Sequence, residues 1–205
     1  MQLFYNPEIN SSNQEFTFDK TESRHIVRVL RKKDGDTILI TNGLGTLFTS
    51  KIIIANDKRC LVKITNIEAK TKPWNYYLHI VIAPTKLNDR FEWFLEKATE
   101  IGLSKLSFLS CDHNERKHIN LERLHKIAVA AMKQSKRFYL PEITDLKAFN
   151  HFVQANPNGY IGHCYEGSKQ DMHQLQDTAV FLIGPEGDFS VAEVELAQKH
   201  GYQAV

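Results

Sequence analysis

At 205 residues, with 42% apolar and 24% charged side chains, the chain has the composition of a soluble globular protein with one large or two small domains. No stretch approaches the ~20 apolar residues of a membrane span. The opening Met1-Gln2-Leu3-Phe4-Tyr5-Asn6 lacks the basic region and apolar core of a signal peptide. Three cysteines, Cys60, Cys111 and Cys164, are an odd and scattered set, which argues against a disulfide framework and for a reducing, cytoplasmic setting. A net charge of +2 does not announce a nucleic-acid binder, so the distribution of the cations has to carry any such argument.

Residues 1–70 read mostly as short strands. A helix from Thr21 to about Leu30 interrupts them, with Ile26, Val29 and Leu30 on its apolar face. Thr37-Ile38-Leu39-Ile40-Thr41 and Leu47 to Ile54 are β-rich runs, and Asn42-Gly43-Leu44-Gly45 between them is a hairpin signal. Cys60-Leu61-Val62-Lys63-Ile64-Thr65 is a further run, and strands at this spacing suggest a small β-barrel. Ala69-Lys70-Thr71-Lys72-Pro73 is a polar, proline-bearing linker.

From residue 74 to 205 the rhythm changes to alternating strand and helix, as in a parallel α/β sheet. Leu78 to Ala83 is a near-continuous apolar run, the pattern of a strand buried on both faces. Asn88 or Asp89 can cap a helix bearing Phe91, Phe94, Leu95, Ala98 and Ile101, which Gly102 ends. Leu106 to Leu109 is a strand, Leu121 to Ser135 a long helix, and Tyr160 to Tyr165 and Val180 to Ile183 are further strands. Tyr202-Gln203-Ala204-Val205 reads as the opening of another strand, so the chain is expected to be truncated mid-element.

Gly184-Pro185-Glu186-Gly187 is the most informative motif. It follows the Val180–Ile183 strand and precedes Ser190-x-x-Glu193, a capping box that opens a helix. A strand–loop–helix corner of this kind is where α/β proteins bind ligands. The carboxylates of Glu186 and Asp188 would repel a polyphosphate and tolerate a cationic ligand such as a sulfonium. The plain alternative is a tight turn that holds nothing.

The basic residues cluster. Arg24, Arg28 and Arg31 fall at i, i+4 and i+7, with Lys32 and Lys33 continuing the patch. Lys133, Gln134, Lys136 and Arg137 gather at the end of the long helix, Lys86 and Arg90 flank a strand–helix corner, and Arg116 lies in a loop. Each could be a solvated helix face or a helix-end cation. Clusters in both regions favour RNA held by its phosphates, with Phe138, Tyr139 and Trp74 available to stack on bases or to fill a core. Asp112, His113 and His118 fit no zinc spacing and read as loop residues, so no metal is expected. Cys164, placed in a strand, is a poor nucleophile.

Four segments in order then resemble a known family. They are His25 to Arg31, Lys97-Ala98-Thr99-Glu100-Ile101-Gly102, Ala131 to Arg137, and Ile183 to Ser190 with Glu193. The chain is similar to the bacterial 16S ribosomal RNA uridine N3-methyltransferases of the SPOUT superfamily. That resemblance implies an α/β class fold, with a PUA-like RNA-binding β-barrel over 1–70 and a trefoil-knotted methyltransferase domain over 74–205. It implies S-adenosylmethionine as cofactor, 16S rRNA of the small ribosomal subunit as partner, a uridine of the decoding region as target, and a homodimer. It assigns Leu182, Ile183, Gly184, Pro185, Glu186 and Gly187 to the cofactor. It makes Lys133, Gln134 and Arg137 the catalytic candidates on the RNA side, and Arg24, Arg28, Arg31, Lys32, Lys33, Lys86, Arg90 and Arg116 the RNA contacts, with no residue singled out as general base. Two departures stand out. Asp188 occupies a place where the family often carries a second glycine, tolerable for a side chain if φ is negative. The family's Leu-Gly…Leu-Arg…Glu-Thr-Ala segment, part of the cofactor pocket and knot, would follow Val205. Two other readings compete: a non-catalytic RNA-binding protein, and a SPOUT enzyme acting on a ribose 2′-OH or on tRNA.

Overall fold

The two rhythms fold as two units in the computed structural model, which describes residues 2–116, 118–174 and 176–205. One unit comprises Met1–Pro73 together with Met132–Leu140, the other Trp74–Ala131 and Pro141–Val205. The end of the long helix therefore belongs, by its contacts, with the first unit.

In the first unit, strands β1 (Leu3–Tyr5), β2 (Glu15–Thr17), β3 (Thr37–Thr41), β4 (Thr46–Ile54) and β5 (Leu61–Ala69) form one sheet in the order β1-β3-β4-β5-β2. Only β1 and β3 pair in parallel. Bulges between Thr49 and Ser50 and between Ile52 and Ile54 bend the long β4–β5 ribbon. Phe4, Phe18, Ile26, Ile38, Ile40, Phe48 and Ile52 are its fully buried core.

The early helix departs from the expected regular pattern. An α-helical turn, α1 (Lys20–Arg24), capped by Asp19, passes into a π-helical turn over His25–Val29. Wider bonds mark it, Leu30 N to His25 O at 3.0 Å and Lys32 N to Ile26 O at 3.1 Å. The wider turn rotates the residues after it. Ile26 is fully buried, but Val29 is 66% exposed, and Arg31 stands outside the helix at φ 53°. Arg24, Arg28 and Arg31 thus do not share one helical face. The Arg28 guanidinium pairs with Asp57, its Nε at 2.6 Å.

The second unit is a six-stranded, all-parallel sheet. Its strands are β6 (Tyr77–Ile82), β7 (Lys105–Ser110), β8 (Glu142–Ala148), β9 (Gly159–Gly162), β10 (Thr178–Ile183) and β11 (Tyr202–Ala204). They lie in the order β11-β9-β10-β6-β7-β8. Helices α2 (Asn88–Ile101), α3 (Leu121–Gln134), α4 (Phe149–Ala155) and α5 (Val191–Lys199) connect them. Alternate strand residues serve opposite faces. Val81, Leu109, Ile161 and Leu182 pack with Phe149, Phe152 and Val194 of α4 and α5. On the other side the Phe91 ring of α2 lies 5.3 Å from that of Phe108. Ile101, expected on the apolar face of α2, is 68% exposed. Strand β8 and helix α4 went unread in the sequence. The strand expected through Tyr165 ends at Gly162, which leaves Cys164 exposed in a loop. The expected α/β sheet preceded by a small β-unit is the fold observed.

A buried polar chain crosses three strands of this sheet. His79 Nε2 is 2.7 Å from Ser107 Oγ, which is 2.6 Å from Thr144 Oγ1. Burial, and then the nearby Lys105 cation, lower the His79 pKa to about 4. The unfolded chain takes up a proton near its ordinary histidine value that the folded chain refuses until about pH 4. This group's contribution is therefore complete at neutral pH and is lost as pH falls through that window. The wild type should lose about 2 kcal/mol more stability between pH ~7 and ~5 than His79→Gln does, by urea unfolding. Equal losses would place the histidine in solvent.

Candidate active site

The strand order reverses beside β6. From β6 the chain crosses to β7 on one side, while β10 lies on the other. Ligand crevices of open α/β sheets form at such a switch point, outside the carboxyl ends of the strands. The Gly184–Gly187 loop stands there, because Ala83 N bonds Ile183 O at 2.9 Å and keeps the ends of β6 and β10 level.

From that position the loop is tied to every neighbouring strand end. Glu186 Oε1 accepts the Lys86 backbone N–H at 3.0 Å, joining the loop after β6. Asp188 Oδ2 accepts the Cys164 N–H at 2.7 Å, joining the loop after β9. His113 Nδ1 donates to the Asp188 carbonyl at 3.0 Å, joining the loop after β7. Tyr165 Oη donates to Phe189 O at 2.8 Å. The capping box predicted at Ser190 is present, and Glu193 extends it by accepting Asp112 N at 3.0 Å. The amide bonded to Glu186, and then the Lys86 cation, hold its carboxyl below the usual range, so it stays anionic near neutrality.

The unusual backbone falls at Asp188 rather than at the glycines. Its φ is +64°, so the negative φ required of a side chain there is overturned. An aspartate tolerates this region better than most residues. Here its own Oδ1 accepts the Phe189 N–H at 2.7 Å. Gly184 serves packing, since a Cβ would stand 3.1 Å from the Phe189 ring. Leu182 is fully buried in the core, so it can face a ligand only through its backbone.

His163, at the end of β9, was not singled out from the sequence. Its Nδ1 accepts Tyr165 N–H at 3.2 Å. Burial, and then Lys169, lower its pKa, which leaves the ring neutral and its hydrogen on Nε2. That Nε2 is buried without a hydrogen-bond partner among the described residues, so it is a donor with no protein acceptor. His163, Tyr165 and His113 all sit just past carboxyl ends of strands, and that position, more than their residue types, is the signal that would have found them.

Lys86 and Arg116 lie at the same end of the sheet. Lys86 Nζ pairs with Glu115 at 2.7 Å, and Arg116 bonds Asn88 and the His118 carbonyl. Arg90 is exposed on the first turn of α2. Beneath Arg116 a cavity of about 130 Å³ is floored by Phe91, Phe108 and Leu124. In the first unit, Lys133 Nζ is 3.6 Å from Glu22 and 5.7 Å from the centre of the Phe4 ring. Gln134 is exposed, and Arg137 follows Lys136, whose φ of 54° closes α3 in a Schellman turn. Arg24, Arg28, Arg31 and Lys33 are exposed and Lys32 is half-buried. Among the described residues no group of three or more His, Cys, Asp or Glu side chains could hold a metal ion.

A parallel sheet with a built loop at its switch point, in a chain that also carries a small β-unit, defines a two-unit protein with a candidate ligand site in the α/β unit. The chain belongs to the RNA methyltransferase family: the family's methyltransferase domain matches residues 70–205 and its PUA domain residues 18–65. It is similar to the ribosomal RNA small subunit methyltransferase E of Buchnera aphidicola, 31% identical over 152 residues, or 70% of this chain and 59% of that protein. The chain thus matches about three fifths of that relative's length. A crystal structure described as a "probable rRNA-methyltransferase" of Porphyromonas gingivalis is 37% identical, with a TM-score of 0.91 over 100% of this chain and 88% of its own. The fold recurs, at 22% identity and a TM-score of 0.86, in a ribosomal RNA small subunit methyltransferase E of Neisseria gonorrhoeae bound to S-adenosyl methionine, covering 100% of this chain and 88% of that one.

Proposed function

We propose that the protein transfers a methyl group from S-adenosylmethionine to N3 of a uridine in the decoding region of 16S rRNA, as a cytoplasmic homodimer. The observation that carries this reading is the Gly184–Ser190 loop at the switch point, in a chain of the RNA methyltransferase family. The residues around it fit the cofactor. The anionic Glu186 and Asp188 suit a cationic sulfonium, and the buried His163 Nε2–H offers a donor to a polar ligand atom. When bound, the cofactor supplies the activated methyl group. The protein's share is to hold the base in line with it and to stabilise the negative charge that develops on the uracil as its imide proton leaves. Lys133, Gln134 and Arg137 are the catalytic candidates on the RNA side. Lys86, Arg90 and Arg116, together with Arg24, Arg28, Arg31, Lys32 and Lys33, are the RNA contacts. For the dimer, α2 leaves Trp93 64% and Ile101 68% exposed, apolar surface that a second copy would cover.

The test is nucleoside mass spectrometry on undermethylated small ribosomal subunits incubated with the full-length protein and S-adenosylmethionine. A new N3-methyluridine is expected. A methylated ribose or another base would keep the family and remove this substrate. RNA binding without methylation would leave a binding protein.

A further inference from the structure

Among the described residues, the most exposed large apolar side chain is Leu44, at 76%. A lone exposed leucine needs no explanation. The turn that carries it does, because its backbone is over-determined. Gly43 and Gly45 both take left-handed φ, 74° and 89°. A Cβ on Gly43 would stand 2.9 Å from the Tyr5 ring, and one on Gly45 2.3 Å from the Tyr139 ring. Asn42 Oδ1 accepts Leu44 N–H at 2.9 Å. Gly45 N bonds Phe138 O at 2.8 Å, Leu140 N bonds Gly43 O at 2.9 Å, and Lys70 N bonds Gly45 O at 2.7 Å. Tyr139 Oη locks the far side through Lys70 O at 2.7 Å. So many ties hold one apolar side chain out in water.

Its surroundings are cationic. The flanking segments 69–73 and 132–140 carry Lys70, Lys72, Lys133, Lys136 and Arg137 and no acidic residue. Lys72 Nζ is 5.0 Å from the centre of the Tyr139 ring, and Lys70 Nζ 5.7 Å from that of Phe138. Glu68 pairs with Lys70 and offsets part of this charge. Lys133 in turn lies 3.6 Å from Glu22. A rigid apolar tip on a turn bonded to two cation-bearing segments fits nucleic acid, where phosphates meet the cations and the tip packs between bases.

We infer that Leu44 is a wedge against an unstacked base step of the RNA, and that Lys70, Lys72, Lys136 and Arg137 hold the phosphates around it. This rests on the RNA-binding reading above. It adds a surface outside the Arg24–Lys33 cluster, with an apolar element that phosphate-binding cations cannot replace.

The test measures affinity of the full-length protein for undermethylated small ribosomal subunits across a range of salt. Leu44→Ala should bind about tenfold more weakly, the scale of a lost base contact. Its salt dependence should match the wild type's, because no phosphate contact is lost. Lys72→Ala should instead flatten the slope of log affinity against log salt by about 0.7 to 0.9. Leu44→Met should bind like the wild type. Thermal melting of Leu44→Ala should be unchanged, since the side chain is exposed. Wild-type affinity in Leu44→Ala, or a loss that carries a changed salt slope, would overturn the wedge while leaving RNA binding in place. No binding by the wild type would overturn the RNA reading and the wedge together.

Discussion

Glu193→Ala is expected to cost about 3 kcal/mol, the loss of two amide bonds to a charged carboxylate at about 1.5 kcal/mol each. The Glu193 side chain is 6% exposed. Its Oε2 accepts Ser190 N–H at 2.8 Å and its Oε1 accepts Asp112 N–H at 3.0 Å. Ser190 Oγ in turn accepts the Glu193 N–H at 3.3 Å, and donates to Asp112 Oδ2 at 2.7 Å. One carboxylate thus starts α5 and fastens the loop after β7 to it. Alanine leaves both N–H groups without acceptors. The melting midpoint should fall by roughly 6–12 °C. Glu193→Gln keeps one acceptor oxygen and should lose about half as much. Cys111 reports the opening directly. It is buried, and burial followed by Glu193 pushes its thiol pKa up, so a thiol reagent should label the native protein slowly. Faster Cys111 labelling in Glu193→Ala is the expected result. Unchanged labelling and melting would reduce Glu193 to a solvent-side cap.

How much of this the residues announced depends on the range of the interaction. The hairpin at Asn42–Gly45, the Gly102 stop of α2, the capping box at Ser190 and the strand at Tyr202 are short-range events, and the sequence spells them out. The π turn over His25–Val29 was invisible. A helical pattern with Ile26 apolar and Arg24 and Arg28 polar reads the same at either pitch until the chain is packed. Strand β8, Glu-Ile-Thr-Asp-Leu-Lys-Ala, alternates weakly and lies at a sheet edge, so its composition resembles a loop. The same holds within the site. The loop itself was legible from two glycines, a proline and a carboxylate. Its supports were not, because His113, Cys164 and Lys86 reach it through backbone groups and ring nitrogens contributed from 24 to 100 residues away in the sequence. The carboxylates read as facing a cationic ligand prove also to be the knots that tie these loops together. Their charge remains, but their geometry is spent on the scaffold.

Asp188 separates those two roles, and substituting it should give an ordered series. The native side chain supports two bonds, to Cys164 N and Phe189 N, both at 2.7 Å, from a backbone at φ +64°. Asparagine keeps an acceptor and tolerates the left-handed backbone, so it should lose least, about 1 kcal/mol. Glycine removes the backbone strain but also both bonds, and should lose about 2 kcal/mol net. Alanine loses the bonds and keeps the strain, adding roughly 1 kcal/mol to the glycine loss. Affinity for S-adenosylmethionine, read by calorimetry on the full-length protein, should fall in the same order, because each step frees the loop after β9 and with it the His163 donor. Melting temperatures should follow. If glycine instead binds the cofactor as tightly as the native aspartate, the carboxylate is dispensable and the backbone conformation alone shapes the site. If alanine and glycine behave alike, the left-handed conformation contributes nothing and the bonds to Cys164 and Phe189 carry the whole effect.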